Sequence, residues 1–260
     1  MNPHLASAHE AKSPSLWLLM LEWRAPWELG ATLAAGPLLH QAPRGDGHPV
    51  LVFPGLAASD LSTAPLRSFL KGRGYVPYGW ELGSNFGPKP GVLSASLRRI
   101  EELASEHGTK VSLIGWSLGG VYARELAKLA PDRVRSVVTL GTPFTGNPKA
   151  SNAWRFYEFA SGQRVGDPYV HAGLAQTPPV PTTSIYSRSD GIVSWKCSLE
   201  RAEHACAESV EVRASHVGLG LNPAAWYVLA DRLAQPEGDW APFHRQGWRE
   251  LVYPDPSRPE

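Results

Sequence analysis

The sequence predicts an α/β protein: a mostly parallel sheet of about six strands, flanked by helices and carrying a small inserted cap. Three observations carry that prediction. Short apolar runs alternate with amphipathic stretches, the pattern of strands joined through crossover helices. The clearest run, Val50-Leu51-Val52-Phe53, is continuously apolar, as in a strand buried on both faces. And Gly115-Trp116-Ser117-Leu118-Gly119 stands between an apolar run and a long helical pattern, a sharp strand-to-helix turn with a serine at its apex.

Taken in order, residues 1 to 14 are polar, and residues 15 to about 40 read as helix, broken at Pro26 and ended near Gly36-Pro37. Leu16, Leu19, Met20, Trp23 and Trp27 share one helical face. That face is expected to pack on the protein's own core; weak contact with a membrane surface is the alternative. Glu22, Arg24 and Glu28 interrupt the apolar run, which is too short to cross a bilayer, since that takes about 20 apolar residues. Arg44 to Gly47 form a turn before the first strand at 50–53, which Pro54-Gly55 ends. A helix follows over 61–70, a second strand over 75–82, and a helix over 93–106 closed by Gly108. Residues 111–114 form the third strand, 117–129 a helix, 134–140 the fourth strand, 183–186 the fifth, 210–212 the sixth and 223–233 the last clear helix. Residues 142 to 180 break the alternation with Pro, Gly and aromatics where one crossover helix belongs, and read as a cap over the C-terminal edge of the sheet. The chain divides accordingly into an N-terminal helical extension packed on the domain (1–47), the α/β domain (48–234) and a C-terminal surface tail (235–260).

Composition narrows the function classes. A net charge of +1 over 260 residues, with 19% charged residues, argues against a nucleic-acid partner. Cys197 and Cys206 lack zinc-site spacing, so no metal is expected; one local disulfide and two reduced thiols remain equal readings. The N-terminus has neither a strong basic stretch nor a clear small-residue cleavage site, which favours a cytoplasmic location; a Cys197–Cys206 bond would argue for an oxidising compartment. The sequence leaves the oligomeric state open.

The chemistry lies in three positions. A serine hydroxyl is a poor nucleophile at neutral pH and needs a base, itself oriented by a third group. Ser117 sits at the turn, Asp190 just past the fifth predicted strand and His216 just past the sixth. Parallel strands put their C-terminal ends on one edge, so the three can converge, in the chain order Ser, Asp, His. His171, in the cap, and His204, between the cysteines, are rival bases, but neither directly follows a strand. An oxyanion needs donors, and the backbone N–H groups of Leu118, after the serine, and Leu56, after Pro54-Gly55, are the candidates. Trp116 in the turn, and Trp154, Phe156, Tyr157 and Phe159 in the cap, are candidate substrate contacts.

On these motifs the chain resembles the α/β-hydrolase superfamily, in particular its lipase and carboxylesterase members. Gly115 to Gly120 resemble the nucleophile elbow and Phe53-Pro54-Gly55-Leu56 the oxyanion loop, with Asp190 and His216 at the acid and base positions. The resemblance covers roughly residues 48 to 234. Many members have His-Gly where this chain has Pro54-Gly55, and the two early antiparallel strands of the full fold are not evident, because residues 15 to 40 read as helix. The resemblance implies a serine carboxylester hydrolase working on a small-molecule or lipid ester through an acyl-enzyme, with no cofactor. Thioester hydrolysis, perhydrolysis or carbon–carbon cleavage at the same residues is the alternative, and a binding protein without turnover is the second.

Overall fold

A computed structural model describes residues 11–147, 149–162, 173–200 and 204–255. Its centre is a six-stranded sheet in the order β2-β1-β3-β4-β5-β6, with every neighbouring pair parallel. The strands are β1 (Pro49–Phe53), β2 (Val76–Gly79), β3 (Val111–Trp116), β4 (Val134–Leu140), β5 (Thr182–Tyr186) and β6 (Ala207–Glu211). The helices are α1 (Leu16–Met20), α2 (Ala25–Ala34), α3 (Gly36–Leu39), α4 (Asp60–Gly72), α5 (Val92–His107), α6 (Leu118–Leu129), α7 (Trp154–Ser161), α8 (Pro223–Leu233) and α9 (Arg249–Val252).

Side chains alternate across the sheet and build two cores. Val50, Val52, Ile114 and Val138 face Leu66 and Leu70 of α4 and Val228 and Leu229 of α8. Leu51, Phe53, Leu113 and Val137 face the other way, onto Ile100 and Leu103 of α5 and Ala123 and Leu126 of α6. This period of two on continuously apolar strands is what a sheet covered on both faces requires. The chain runs from β1 to β2 on one side, then crosses back to β3 on the other. The crevice between the ends of β1 and β3 is therefore the switch point at which open α/β sheets take ligands.

Local signals set the helix ends. Ser15 caps α1 by accepting from the Leu18 N–H, and Asn222 caps α8 by accepting from Ala224 and Ala225, with Pro223 at the first helical position. Gly108 ends α5 at φ 63°, a left-handed conformation that glycine adopts without strain.

Several boundaries differ from the sequence expectation. Strand β2 stops at Gly79, short of residue 82, because the Asp60 carboxylate takes the next two backbone donors, Trp80 N–H (2.9 Å) and Glu81 N–H (3.0 Å). Strand β6 starts earlier than residue 210, at Ala207, where it pairs with Thr182 at the beginning of β5. The break in the N-terminal helix falls at a 3-10 turn over Leu21–Arg24, and Pro26 sits in the first turn of α2, where its missing N–H costs nothing. Both cysteines are free, Cys197 buried and Cys206 partly so. The tail does more than lie on the surface: Tyr253 is buried in the core and donates its hydroxyl to Ala224 O on α8.

The expectation that the apolar face of the N-terminal helices packs on the core is overturned. Trp23 and Trp27 are 86% and 80% exposed, and Leu16 and Met20 also face outward. The segment is docked by the charges that interrupt its apolar run. Glu22 and Glu28 accept hydrogen bonds from backbone N–H groups at residues 191 and 215–217, and Arg24 donates to Ser189. Loop donors without a ladder partner need acceptors, and these carboxylates supply charge-assisted ones. No helix among the described residues is long and apolar enough to cross a membrane.

Candidate active site

Ser117 occupies the turn between β3 and α6 at φ 52°, ψ −120°. A non-glycine residue there carries about 1–3 kcal/mol of strain, which the surrounding structure must hold. Ser117 N–H donates to Leu140 O at 2.7 Å, and Thr142 Oγ1 donates to Ser117 O at 2.9 Å. The flanking glycines permit the turn by close packing. A methyl group on Gly115 would overlap the Gly120 backbone, one on Gly119 the Phe53 carbonyl, and one on Gly120 the Thr142 side chain. Leu118 is the first residue of α6, so its N–H lacks an intrahelical acceptor and points toward the serine end of the helix.

Asp190 and His216 meet at the same edge. His216 Nδ1 lies 2.6 Å from Asp190 Oδ2, and both side chains are buried. Asp190 Oδ1 accepts from the N–H groups of Ile192 (2.8 Å) and Val193 (2.7 Å), which fixes the carboxylate plane. Burial alone would lower the His216 pKa. The charge and hydrogen bond of Asp190, with the charge of Glu22, outweigh it and hold the imidazole above the ordinary histidine value. Gly141, at φ 58°, lets the chain pass beside the pair, since a side chain there would press on His216 Nδ1 and Asp190 Oδ2. Ser117 Oγ makes no hydrogen bond to His216 among the described residues; contacts of this kind are commonly loose before substrate binds.

The loop after β1 lies against the serine. A methyl group on Gly55 would sit 3.5 Å from Ser117 Cβ. Leu56 N–H has no acceptor among the described residues, whereas the next donor, Ala57 N–H, is held by Asn85 O at 2.7 Å. Asn85 is fully buried, and its Nδ2 donates to Pro54 O at 2.8 Å. Asn85 N–H also donates to Ala58 O at 2.9 Å, so three bonds to one residue set the conformation of the loop carrying Leu56.

The remaining candidates divide. Trp116 donates its indole N–H to His216 O at 3.1 Å and lays its ring on Gly220, so it braces the loop carrying His216. Helix α7 carries Trp154, Phe156, Tyr157 and Phe159. Its Tyr157 and Ser161 pack over Gly87, two residues from Asn85, and Phe156 and Phe159 are exposed. The segment before α7 is tied to the loop carrying Asp190 by Asn152 N–H to Ile192 O (2.7 Å) and Ser194 N–H to Ala150 O (3.0 Å). His204 precedes β6 and so lies at the opposite end of the strands from Ser117; His171 is outside the described residues. Among the described residues no three His, Cys, Asp or Glu side chains group as metal ligands would.

The reading of the sequence missed Glu22, Arg24, Glu28, Asn85 and Thr142. The first three carried a signal, as charges within an apolar helical stretch; the last two carried none that local pattern exposes.

A family model described as "alpha/beta hydrolase fold" matches residues 84–165, a stretch that contains Ser117 and ends before Asp190. With its six-stranded parallel sheet flanked by helices, the chain has the α/β-hydrolase fold. It is 34% identical over 131 residues to a triacylglycerol lipase of Burkholderia plantarii, covering 45% of this chain and 36% of that protein. It is 35% identical over 111 residues to a triacylglycerol lipase of Pseudarthrobacter phenanthrenivorans, covering 38% and 34%. The chain thus spans about a third of the length of the curated relatives it matches. Among solved structures, lipase B of Aspergillus fumigatus superposes with a TM-score of 0.57 at 18% identity, over 74% of this chain and 54% of that one. The Bacillus licheniformis lipase BlEst2 gives 0.55 at 15%, over 75% and 95%. At such identities these structures speak for the fold.

Proposed function

We propose that this α/β hydrolase is a serine carboxylester hydrolase in which Ser117, His216 and Asp190 act together. The observation that carries the proposal is the buried Asp190–His216 contact of 2.6 Å at the sheet edge that also holds a strained Ser117. Ser117 Oγ attacks the ester carbonyl carbon while His216 Nε2 takes its proton. Asp190 holds Nδ1–H, which presents Nε2 as the acceptor, and balances the imidazolium. The N–H groups of Leu56 and Leu118 stabilise the tetrahedral oxyanion. His216 passes its proton to the departing alcohol, leaving an acyl-serine. It then deprotonates a water that attacks the acyl carbon and releases the acid and the free serine. Lipase names among the relatives support acylglycerols as the first esters to try.

Mass spectrometry after a fluorophosphonate probe, with hydrolysis of p-nitrophenyl esters of graded chain length, tests the proposal. Labelling at Ser117 and turnover lost on the order of 10⁶-fold in Ser117→Ala are the expected results. A Ser117→Ala variant with a tenth of wild-type activity would overturn it.

A further inference from the structure

The N-terminal extension reaches the site through three charged side chains. Glu22, in the 3-10 turn between α1 and α2, places one carboxylate between the acid and base loops. Its Oε1 accepts from Gly191 N–H at 2.8 Å and from His216 N–H at 2.9 Å, and its Oε2 accepts from Val217 N–H at 2.9 Å. The donors are the residue after the acid, the base itself and the residue after the base. Arg24 and Glu28 extend the brace outward. Arg24 donates to Ser189 O (2.9 Å) and Ser189 Oγ (2.8 Å), and Glu28 accepts from Ser215 N–H (2.7 Å) while pairing with Arg24.

We propose that Glu22 is a positioning residue for the Asp190–His216 pair, acting by holding both loops in one register. The inference rests on the reading of Ser117, His216 and Asp190 as a hydrolytic triad. A carboxylate accepting three backbone donors makes charge-assisted bonds, which are shorter and stronger than neutral ones. Strands β5 and β6 end at Tyr186 and Glu211. Beyond them Ser187 and Ser189 donate their hydroxyls to Ala214 O at 2.7 and 3.0 Å, but among the described residues only Glu22 accepts from these three donors. The sheet positions the strand ends, and Glu22 ties what extends beyond them. The contact it guards is short, and a displacement of about 1 Å in a reacting constellation can cost on the order of 10²-fold in rate. The carboxylate also acts on the imidazole through space. Asp190 and Glu22 are the anions facing His216, while Glu28 and Arg24, farther out, largely offset each other. Both facing anions favour the protonated imidazole, so removing the Glu22 charge makes His216 easier to deprotonate.

The test is steady-state hydrolysis of a p-nitrophenyl ester from pH 5 to 9 by the full chain, as wild type, Glu22→Gln and Glu22→Ala. Active sites are counted by fluorophosphonate labelling, so that only folded molecules enter kcat. Glu22→Ala is expected to lower kcat by about 10–100-fold with KM changed by less than about threefold. Glu22→Gln keeps the size of the side chain and one acceptor. It is expected to lose less kcat and to move the acid limb of kcat/KM to lower pH. A purely structural role would lower the melting temperature and leave kcat per labelled site and the pH profile at wild-type values; that result overturns the proposal. If Glu22→Ala does not fold, Glu22→Gln decides alone. A wild type that neither hydrolyses esters nor takes the label sinks the triad reading, and the Glu22 role with it. A labelled, active wild type beside an indistinguishable Glu22→Gln sinks the Glu22 role only.

Discussion

Replacing Asp190 by asparagine probes the proposed triad at one atom. In the present arrangement Oδ1 is occupied by two backbone donors, Ile192 N–H and Val193 N–H, and Oδ2 faces His216 Nδ1 at 2.6 Å. An asparagine amide has one acceptor oxygen. The two backbone donors will hold it at the Oδ1 position, which turns the NH₂ group toward His216. Nδ1 must then accept, so the ring proton moves to Nε2, the atom that should take the serine proton. The imidazolium formed on the way to the tetrahedral intermediate also loses its counter-charge. Two unit charges about 4 Å apart interact by about 4 kcal/mol at an effective dielectric constant of about 20. That alone is about 10³-fold in rate. With the tautomer reversed as well, the expected loss in kcat is about 10⁴-fold, or about 5 kcal/mol, the size seen for this exchange in a serine protease triad. The fold should survive, because the backbone bonds to Oδ1 persist. The assay is hydrolysis of a p-nitrophenyl ester at saturating substrate, with circular dichroism to check the fold. Retention of more than a tenth of the wild-type kcat, in a folded variant, would refute the reasoning.

Three further outcomes follow from the same structure. Activity should rise with pH through an inflection above the ordinary histidine value of 6.5, since Asp190 and Glu22 raise His216 and only the neutral ring accepts a proton; kcat/KM measured across pH would contradict this with an inflection well below 6.5. Gly115→Ala should lower the melting temperature by about 2–12 °C, because the new methyl group meets the immovable backbone of Gly119 and Gly120; overpacking of this kind costs about 1–3 kcal/mol, and about 2–4 °C accompany each kcal/mol in a chain of this size. An unchanged thermal melt would show that the elbow is less tightly packed than the structure has it. Phe159→Ala, at a ring 87% exposed, should leave stability within about 0.5 kcal/mol and change the ratio of kcat/KM between long and short acyl esters; a constant ratio for Phe159→Ala and Phe156→Ala would remove α7 from substrate recognition.

What was legible in the sequence is what local pattern encodes. Val50 to Phe53 declared itself as a strand because burial on both faces leaves no polar position to confuse the period. The serine turn was legible because steric crowding at a strained backbone demands glycines at fixed offsets, and Gly115, Gly119 and Gly120 supply them. The meeting of Asp190 and His216 at one edge followed from position, since parallel strands oblige their C-terminal ends to share an edge. Tertiary structure decided the rest, through contacts between residues far apart in the chain. Nothing near Asn85 announces that it will hold the loop at Pro54 and Ala57. The exposed tryptophans at 23 and 27 read as a core-facing stripe, because amphipathic spacing tells that a helix has two unlike faces and not which one the protein turns inward. Glu22 settled that choice. Its partners lie at least 169 residues away, and their need for an acceptor exists only once β5 and β6 have ended side by side and left these three N–H groups without a ladder partner.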